Sequence, residues 1–591
     1  MITLKINNTQ VEVPEGTTIL EAAKKIGVEI PTLCHHEDLC VAGNCRVCVV
    51  EIKGRPRLEA SCATPAENGM EVFTHSAKVR NARNVITQLL LSEHAEECTL
   101  CYKNGNCELQ NLAEEYYHDD EMFIDLAHER EHRIDKSTAL RYDPSKCIRC
   151  QRCVRTCAEI QGVNALSAAF KGKDMMITTF MEKTFGEVVC TNCGQCVVHC
   201  PTGALTERTY YDEIWEAIED PDKHVVVNTA PSVRVALGEP FGLEPGTIVT
   251  GQMAAALRRL GFDSVLDTDF AADLTIIEEG NEFIQRLKKK FVDGEEVALP
   301  MITSCSPGWV KFIEHMYPDL LDHLSTCKSP QQMFGALAKT YYAEKKGIDP
   351  AKIVSVSIMP CTAKKFEANR PEMKSSGYQD IDAGLTTREL AKMIKQAGID
   401  LTKLPEEDFD SIMGESSGAG VIFGATGGVM EAALRTVYEI ITGREVPFRH
   451  LDIQPVRGLD GVKEATIKFE NCKPEYSFLE GAEVKVAVAH GLRNARKIMD
   501  QIKEGKSPYL FVEIMACPGG CIGGGGQPIP TNDEIRMKRI EAIYREDAGK
   551  PIRKSHENPE IKQVYEEFLK KPLGEKSHKL LHTHYTKRNR Y

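Results

Sequence analysis

The sequence has no apolar run approaching the 18 or more residues that a membrane-spanning helix needs. Its start, through Gln10, is polar and strand-like, not the basic-then-apolar pattern of a secretory signal. Both absences predict a cytoplasmic protein with no membrane contact. Positive charge is also in deficit. Lysine and arginine number 73 against 86 aspartates and glutamates, and the net charge of −13 argues against nucleic acid or an anionic membrane surface as the main partner. Cysteine is scarce over most of the length: of 22, only six lie beyond residue 200. The rest is ordinary globular composition, 42% hydrophobic and 27% charged, and 591 residues are enough for several domains.

The other 16 cysteines crowd the first 200 residues, and in a reducing compartment clustered CxxC spacings point to metal and away from disulfides. Ile2, Leu4, Ile6, Val11 and Val13 alternate in the strand period, and after a turn at Pro14 a helix is predicted over 17–26. Cys34, Cys45, Cys48 and Cys62 follow, with Cys40 left over as structural or spare. The set resembles the ferredoxin-like module that holds a two-iron cluster in the large iron–sulfur subunits of NADH dehydrogenases, with a wider first gap than the plant-type spacing. A scaffold helix is predicted over 78–92, and then come His94, Cys98, Cys101 and Cys107. The histidine stands one helical turn before a CxxC, within reach of the same metal. This order is similar to the one-histidine, three-cysteine four-iron site of the same subunits.

A repeat is the strongest signal of the first third. Cys147, Cys150, Cys153 and Cys157 form C-x2-C-x2-C-x3-C, and Cys190, Cys193, Cys196 and Cys200 repeat it. In two-cluster ferredoxins the fourth cysteine of each run ligates the other cluster. One cubane is therefore expected on Cys147, Cys150, Cys153 and Cys200, and a second on Cys190, Cys193, Cys196 and Cys157. Structural zinc is the plainer reading of CxxC pairs; eight cysteines in two such runs favour iron–sulfur, although Ala158 stands where a proline usually follows the first run. Clusters in line make an electron wire, with a redox partner at one end and a two-electron reaction at the other.

From Val225 the punctuation becomes α/β. Strands are predicted from Val225 and at 264–267, 353–359, 421–423 and 484–489, the last three as a second set, with helices between them; this implies two lobes built on parallel sheets. Three thiol-bearing stretches end strands at turns: TSCSPGW at 303–309, MPCTAKK at 359–365 and IMACPGGCIGGGGQ at 514–527. Strand ends of this kind are where ligands collect in α/β sheets. A glycine run is used where backbone must approach something closely.

These three stretches, together with Ala230-Pro231-Ser232, Ser329-Pro330-Gln331-Gln332 and residues 424–431, resemble the signature segments of the iron-only (FeFe) hydrogenases. The resemblance covers essentially the whole chain. It implies an H-cluster, a cubane joined through a cysteine to a diiron unit bearing carbon monoxide, cyanide and a dithiolate amine. Position by position, Cys361 and Cys517 ligate the cubane and Cys521 bridges it to the diiron unit. The family has two adjacent cysteines before the proline of the first stretch, a proton relay and then a cubane ligand. Here they read Cys305-Ser306, and whether Cys305 relays, Cys305 ligates or Ser306 ligates stays open at this point. The resemblance also implies that Lys364 and the Ser232 region donate hydrogen bonds to cyanide, and that Pro231, Met359, Met515 and Gln331 line the cofactor. It implies a proton path from Cys305 through a water, Glu279, Ser325 and Glu282; the plainer reading of the two glutamates is a solvated helical face.

The expected fold class is multidomain α+β and α/β, with ferredoxin-like iron–sulfur modules followed by a two-lobed α/β catalytic domain. The expected division is a two-iron ferredoxin-like domain at 1–78, a His/Cys3 four-iron domain at 79–139, a two-cubane ferredoxin domain at 140–209, an H-cluster domain at 210–554 and a small-subunit-like wrap at 555–591. Histidines at 556, 578, 582 and 584 read as part of a surface belt and not as a metal tract. The implied activity is reversible heterolytic oxidation of dihydrogen and reduction of protons. The implied cofactors are one 2Fe-2S cluster, three 4Fe-4S clusters and the H-cluster. Ferredoxin or flavin/NAD(P)-binding subunits are the expected electron partners, and dedicated maturation proteins are expected to load the H-cluster. Two alternatives remain: a hydrogenase-like redox sensor without turnover, which Ser306 keeps in play, and a wire subunit of an NAD-linked or formate dehydrogenase, which leaves the three downstream stretches unexplained.

Overall fold

Leu4, Ile6, Val11 and Val13 put one face of a hairpin into a core, and they form the antiparallel strands Ile2–Ile6 and Thr9–Val13. The helix after them runs Ile19–Lys25, later than its predicted start, because Thr18 and Glu21 form a capping box there. The computed structural model describes residues 1–117, 123 and 134–590; the intervening part of the expected 79–139 module lies outside the described residues. The chain forms two units. One holds 1–159, 164–188 and 199–206, and the other 160–163, 189–198 and 207–591.

The larger unit is built on two four-stranded sheets. The first has the order Ser264–Asp267, His224–Thr229, Ile353–Met359, Ala383–Thr386 and is parallel throughout. The second has the order Met301–Ile302, Phe511–Met515, Glu483–His490, Val462–Lys468, and its last pair is antiparallel. Three expectations need correction. Ile353–Met359 joins the first sheet, not a second set. The second sheet is mixed, because Val462–Lys468 alternates buried and solvent-facing residues as an antiparallel edge strand does. Residues 421–423 are not a strand: Gly418–Ile422 is a helix started by the Ser417 hydroxyl, which accepts from the Gly420 N–H at 3.3 Å. A short apolar run buried on every side carries no period that separates helix from strand.

The helix Thr268–Lys288 is buried over most of its 21 residues. Phe270, Leu274 and Ile277 pack into one core and Ile276 and Phe283 into another. The C-terminal tail is not a surface belt. Ile561, Val564, Phe568, Leu569, Leu580 and Leu581 are buried in the same core as Phe270, since they recur at helical spacing and form an apolar face. Cys327 and His582 form an antiparallel bridge, with Lys328 N–H to Leu581 O and Thr583 N–H to Thr326 O both at 2.8 Å. Among the described residues no helix is long and apolar enough to cross a membrane.

One carboxylate ties this tail down. Buried Glu278 accepts from Tyr565 Oη, Ser577 Oγ, the Leu573 N–H at 2.9 Å and His582 Nε2 at 3.1 Å. Burial alone would push its pKa up, but these donors outweigh it and hold the carboxyl below the usual range. Leaving a buried donor unpaired costs about 1–3 kcal/mol. Glu278→Ala is therefore expected to reduce hydrogen-exchange protection over 559–582 while sparing the strand Val462–Lys468. An equal loss in both regions would show that the tail has no local anchor.

Candidate active site

Loops leaving the strands Met301–Ile302, Ile353–Met359 and Phe511–Met515 carry Cys305, Cys361, Cys517 and Cys521 into one cavity, so both sheets contribute. Pro231, Gln331, Met359, Met515 and Phe423 give it apolar and amide walls, and Lys364, Ser306 and Cys193 also line it. Glycine permits the close packing. A Cβ on Gly525 would stand 2.2 Å from the Cys193 carbonyl oxygen, and one on Gly524 2.2 Å from that of Pro360. Gly520, at φ +87°, is in the left-handed region, and a Cβ there would meet the Thr426 nitrogen at 2.6 Å. Side chains fasten the loops: Gln195 Nε2 donates to Gly523 O at 2.8 Å, Thr362 Oγ1 to Asn192 O at 2.6 Å and Arg388 to Gly525 O at 2.8 Å.

Burial pushes the thiols of Cys361 and Cys517 up and that of Cys521 to about 12, and neighbouring thiols add to the last two. Bare thiolates are costly in such a place, so a metal centre is the natural counter-charge. This donor set and the glycine cradle fit an iron–sulfur cofactor. Cys305 lines the same cavity and also answers to a carboxylate. Burial raises its thiol, and the charge acting on it most is the carboxylate of Glu279. Ser306 Oγ accepts from the Ala516 N–H at 3.2 Å. Lys364 Nζ donates to the Cys305 carbonyl at 3.0 Å and to Glu367 at 2.8 Å. Ser232 lies off the cavity wall; its carbonyl accepts from Gln527 at 3.0 Å, and its buried hydroxyl has no hydrogen-bond partner among the described residues.

Glu279 and Glu282 are buried and not a solvated face. Burial first, then the nearby Glu282 carboxylate, raises Glu279 to about 8, partly offset by the polar Ser325 hydroxyl beside it. Ser325 Oγ donates to Glu282 Oε2 at 2.8 Å. Arg286 holds the other oxygen, Oε1, at 2.6 and 3.1 Å.

In the smaller unit, Cys48 and Cys62 have sulfurs 3.3 Å apart, and the thiols of Cys45 and Cys62 lie close enough to Cys34 to lower its pKa. Cys40 stays outside this set, exposed, with its thiol on Glu159 at 2.7 Å. His94 is buried, pushed down to about 4 mainly by that burial, and its Nδ1 has no hydrogen-bond partner among the described residues, as a metal-ligating nitrogen would be left. Cys101 and Cys107 lie within electrostatic reach of each other, and Cys98 is exposed. Cys147, Cys150 and Cys200 interact with one another, and all of Cys147, Cys153 and Cys200 act on Tyr142. Cys157 accepts from the Ala165 N–H at 3.2 Å. In the larger unit, Cys190 and Cys196 are buried and Cys193 half-buried.

A profile of the iron only hydrogenase large subunit, C-terminal domain, matches residues 223–525, the span that carries all three cavity loops. The chain belongs to the iron-only hydrogenases. Ahead of this span, a 2Fe-2S iron-sulfur cluster binding domain matches 1–77, the NADH-ubiquinone oxidoreductase-G iron-sulfur binding region matches 83–121, and the ferredoxin-like domain of NADH-quinone oxidoreductase subunit 3 matches 138–206. Behind it, the iron hydrogenase small subunit matches 533–588. The NADP-reducing hydrogenase subunit HndD of Solidesulfovibrio fructosivorans is 52% identical over 100% of both chains. Iron hydrogenase 1 of Clostridium pasteurianum is 40% identical over 99% of this chain and 100% of its own. A solved structure of an apo FeFe-hydrogenase variant from Chlamydomonas reinhardtii is similar at 46% identity with a TM-score of 0.57, covering 64% of this chain and 99% of that one. This hydrogenase is thus an oxidoreductase with ferredoxin-like iron–sulfur modules ahead of its catalytic domain.

Some of the hydrogenase site was not visible in its sequence. Cys193 reads as a wire ligand, yet it also lines the cavity; Gln195 and Arg388, which fasten the glycine loop, belong to no motif. Only the glycine run itself hints that another backbone arrives there. Because a Cβ on Gly525 would overlap the Cys193 carbonyl, Gly525→Ala should displace the 190–196 loop, at the roughly 1–3 kcal/mol typical of overpacking. The expected outcome is an altered electron paramagnetic resonance signal from one cubane, with the two-iron signal intact. Unchanged spectra would show that the two loops are not in register.

Proposed function

We propose that the chain is the catalytic subunit of a cytoplasmic hydrogenase that interconverts dihydrogen with protons and electrons at an H-cluster. The observation that carries this reading is the convergence of Cys361, Cys517 and Cys521 from both sheets on one cavity beside the Cys305, Glu279, Ser325, Glu282 line. Cys361 and Cys517 would hold the cubane, with Cys521 its bridge to the diiron unit. When bound, the H-cluster supplies a Lewis-acidic iron and a bridging amine for heterolysis. The protein's share is to bind, orient and move charge. We assign Cys305 the relay, since after burial the charge acting most on its thiol is that of Glu279, and leave Ser306 at the cubane end, where the Ala516 N–H holds its hydroxyl. Glu279 at about 8 can gain and lose a proton near neutral pH, and the Ser325 hydroxyl joins it to Glu282. Pro231, Met359, Met515 and Gln331 would exclude water around the cofactor, with Lys364 as a donor to its cyanides; Ser232, behind Pro231, would support that wall through its carbonyl bond from Gln527.

Electrons would travel through clusters on Cys34, Cys45, Cys48 and Cys62; on His94, Cys98, Cys101 and Cys107; on Cys147, Cys150, Cys153 and Cys200; and on Cys190, Cys193, Cys196 and Cys157. We assign these to domains at 1–78, 79–139 and 140–209, ahead of a catalytic domain at 210–554 and a wrap at 555–591. Because the HndD relative is named as a subunit of an NADP-reducing hydrogenase, we assign flavin/NAD(P)-binding subunits or ferredoxin as electron partners and maturation proteins as loaders.

Fully matured protein is expected to carry about 20 iron atoms, from two-iron, four-iron and six-iron stoichiometries. Cys521→Ala should abolish turnover and the infrared bands of metal carbonyl and cyanide while the N-terminal clusters keep their paramagnetic signals. Bands that persist in Cys521→Ala would remove the proposed bridge.

Glu279→Gln keeps size and removes the acid–base group. Dye-driven dihydrogen evolution should fall by about 10²–10⁴-fold, with infrared bands unmoved. Glu282→Gln should behave alike, and the double variant should cost little more than either, since members of one path are not additive. Wild-type rates in Glu279→Gln would rule out the path.

A further inference from the structure

Beside the relay, three different donors converge from separate parts of the chain. Glu282 comes from the helix Thr268–Lys288, Cys327 from the turn before the helix Pro330–Leu337, and His582 from the tail. All are buried, and one ligand atom from each lies within 4.8 Å of the others. We propose that Glu282, Cys327 and His582 form a binding site for a thiophilic divalent cation, with zinc as the best match. Carboxylate, thiolate and imidazole are its ordinary ligands, at about 2.3 Å to sulfur and 2.0–2.2 Å to nitrogen or oxygen, so the three atoms need close in by no more than roughly an ångström around a tetrahedral ion.

The surroundings prepare the donors. Arg286 takes Glu282 Oε1, and Oε2 turns toward Cys327, whose sulfur is 3.8 Å away. His582 Nε2 lies 3.1 Å from the Glu278 carboxylate, which is already fixed by Tyr565, Ser577 and Leu573. A carboxylate on one ring nitrogen of a ligating histidine orients the ring and raises the basicity of the other nitrogen. That other nitrogen, Nδ1, points to Thr326 Oγ1 at 2.8 Å, and the same hydroxyl reaches Glu282 Oε2 at 3.3 Å, so it holds the two donors side by side. The Cys327–His582 bridge fixes the backbone on both sides. His578 stacks on His582 with centroids 4.2 Å apart and is exposed, giving an incoming cation a first contact. Binding displaces the Cys327 thiol proton to solvent, and Glu282 and the new thiolate balance the two charges of the ion.

The consequence for turnover rests on the relay reading: a cation on Glu282 occupies the oxygen that Ser325 reaches, so zinc should inhibit proton traffic without touching the cofactor. The test uses the fully loaded enzyme. Zinc X-ray absorption on protein given one equivalent of zinc chloride and desalted is expected to show one sulfur with nitrogen and oxygen neighbours. Half-inhibition of dihydrogen evolution, taken for each protein relative to its own zinc-free rate, should need roughly tenfold more zinc or higher in Cys327→Ala. His582→Gln is the second variant and should behave alike. A sulfur-rich shell, loss of zinc on desalting, or equal zinc sensitivity in wild type and both variants would overturn the site. Zinc retained with the one-sulfur shell but without inhibition would support the site and overturn the relay through Glu282 instead.

Discussion

Backbone must touch backbone where the two sheets of the larger unit meet. The loop after Phe511–Met515 lies against Pro360 and against the Cys193 turn at distances no side chain survives, so positions 524 and 525 can only be glycine. That contact brings thiols from different sheets to one cavity and sets the Cys193 turn on its wall. Side chains hold the contact in place: Gln195, Thr362 and Arg388 donate to the carbonyls of Gly523, Asn192 and Gly525. A fixed pocket is what a cofactor sensitive to geometry requires.

Adjacent residues of one helix turn show how far partners decide charge. Glu278 and Glu279 are both buried. Glu278 collects four donors and is held as an anion below its usual range, while Glu279 has a single hydroxyl and a second carboxylate nearby and rises to about 8. One is a fixed counter-charge for the tail. The other can exchange protons in the pH range where an enzyme works.

Cysteine spacing made the metal-rich third and the three thiol loops legible, because metal ligation constrains sequence distance directly. Short apolar runs bounded by turn signals, such as Ile353–Met359 and Ser264–Asp267, were legible to the residue. Their partners were not. Which strand Ile353–Met359 pairs with depends on crossover paths, and residues 421–423 became helical because complete burial erases the period. The tail was misread for a related reason: its charge is conspicuous in sequence, whereas its apolar face shows only against the core it fills. The partners of His582 come from positions 278, 282, 326 and 327, and no local pattern connects them.

The tail has a consequence for how the molecule responds to dilution. A segment matching the iron hydrogenase small subunit is here covalently part of the chain, and it supplies an isolated β-bridge and a histidine beside Glu282. A separate polypeptide would associate by mass action and leave as the protein is diluted. A tethered one sees an effective concentration in the millimolar range at any total concentration. The fused arrangement therefore makes completion of the fold around the glutamates a first-order event, fixed in stoichiometry and independent of how much protein is present.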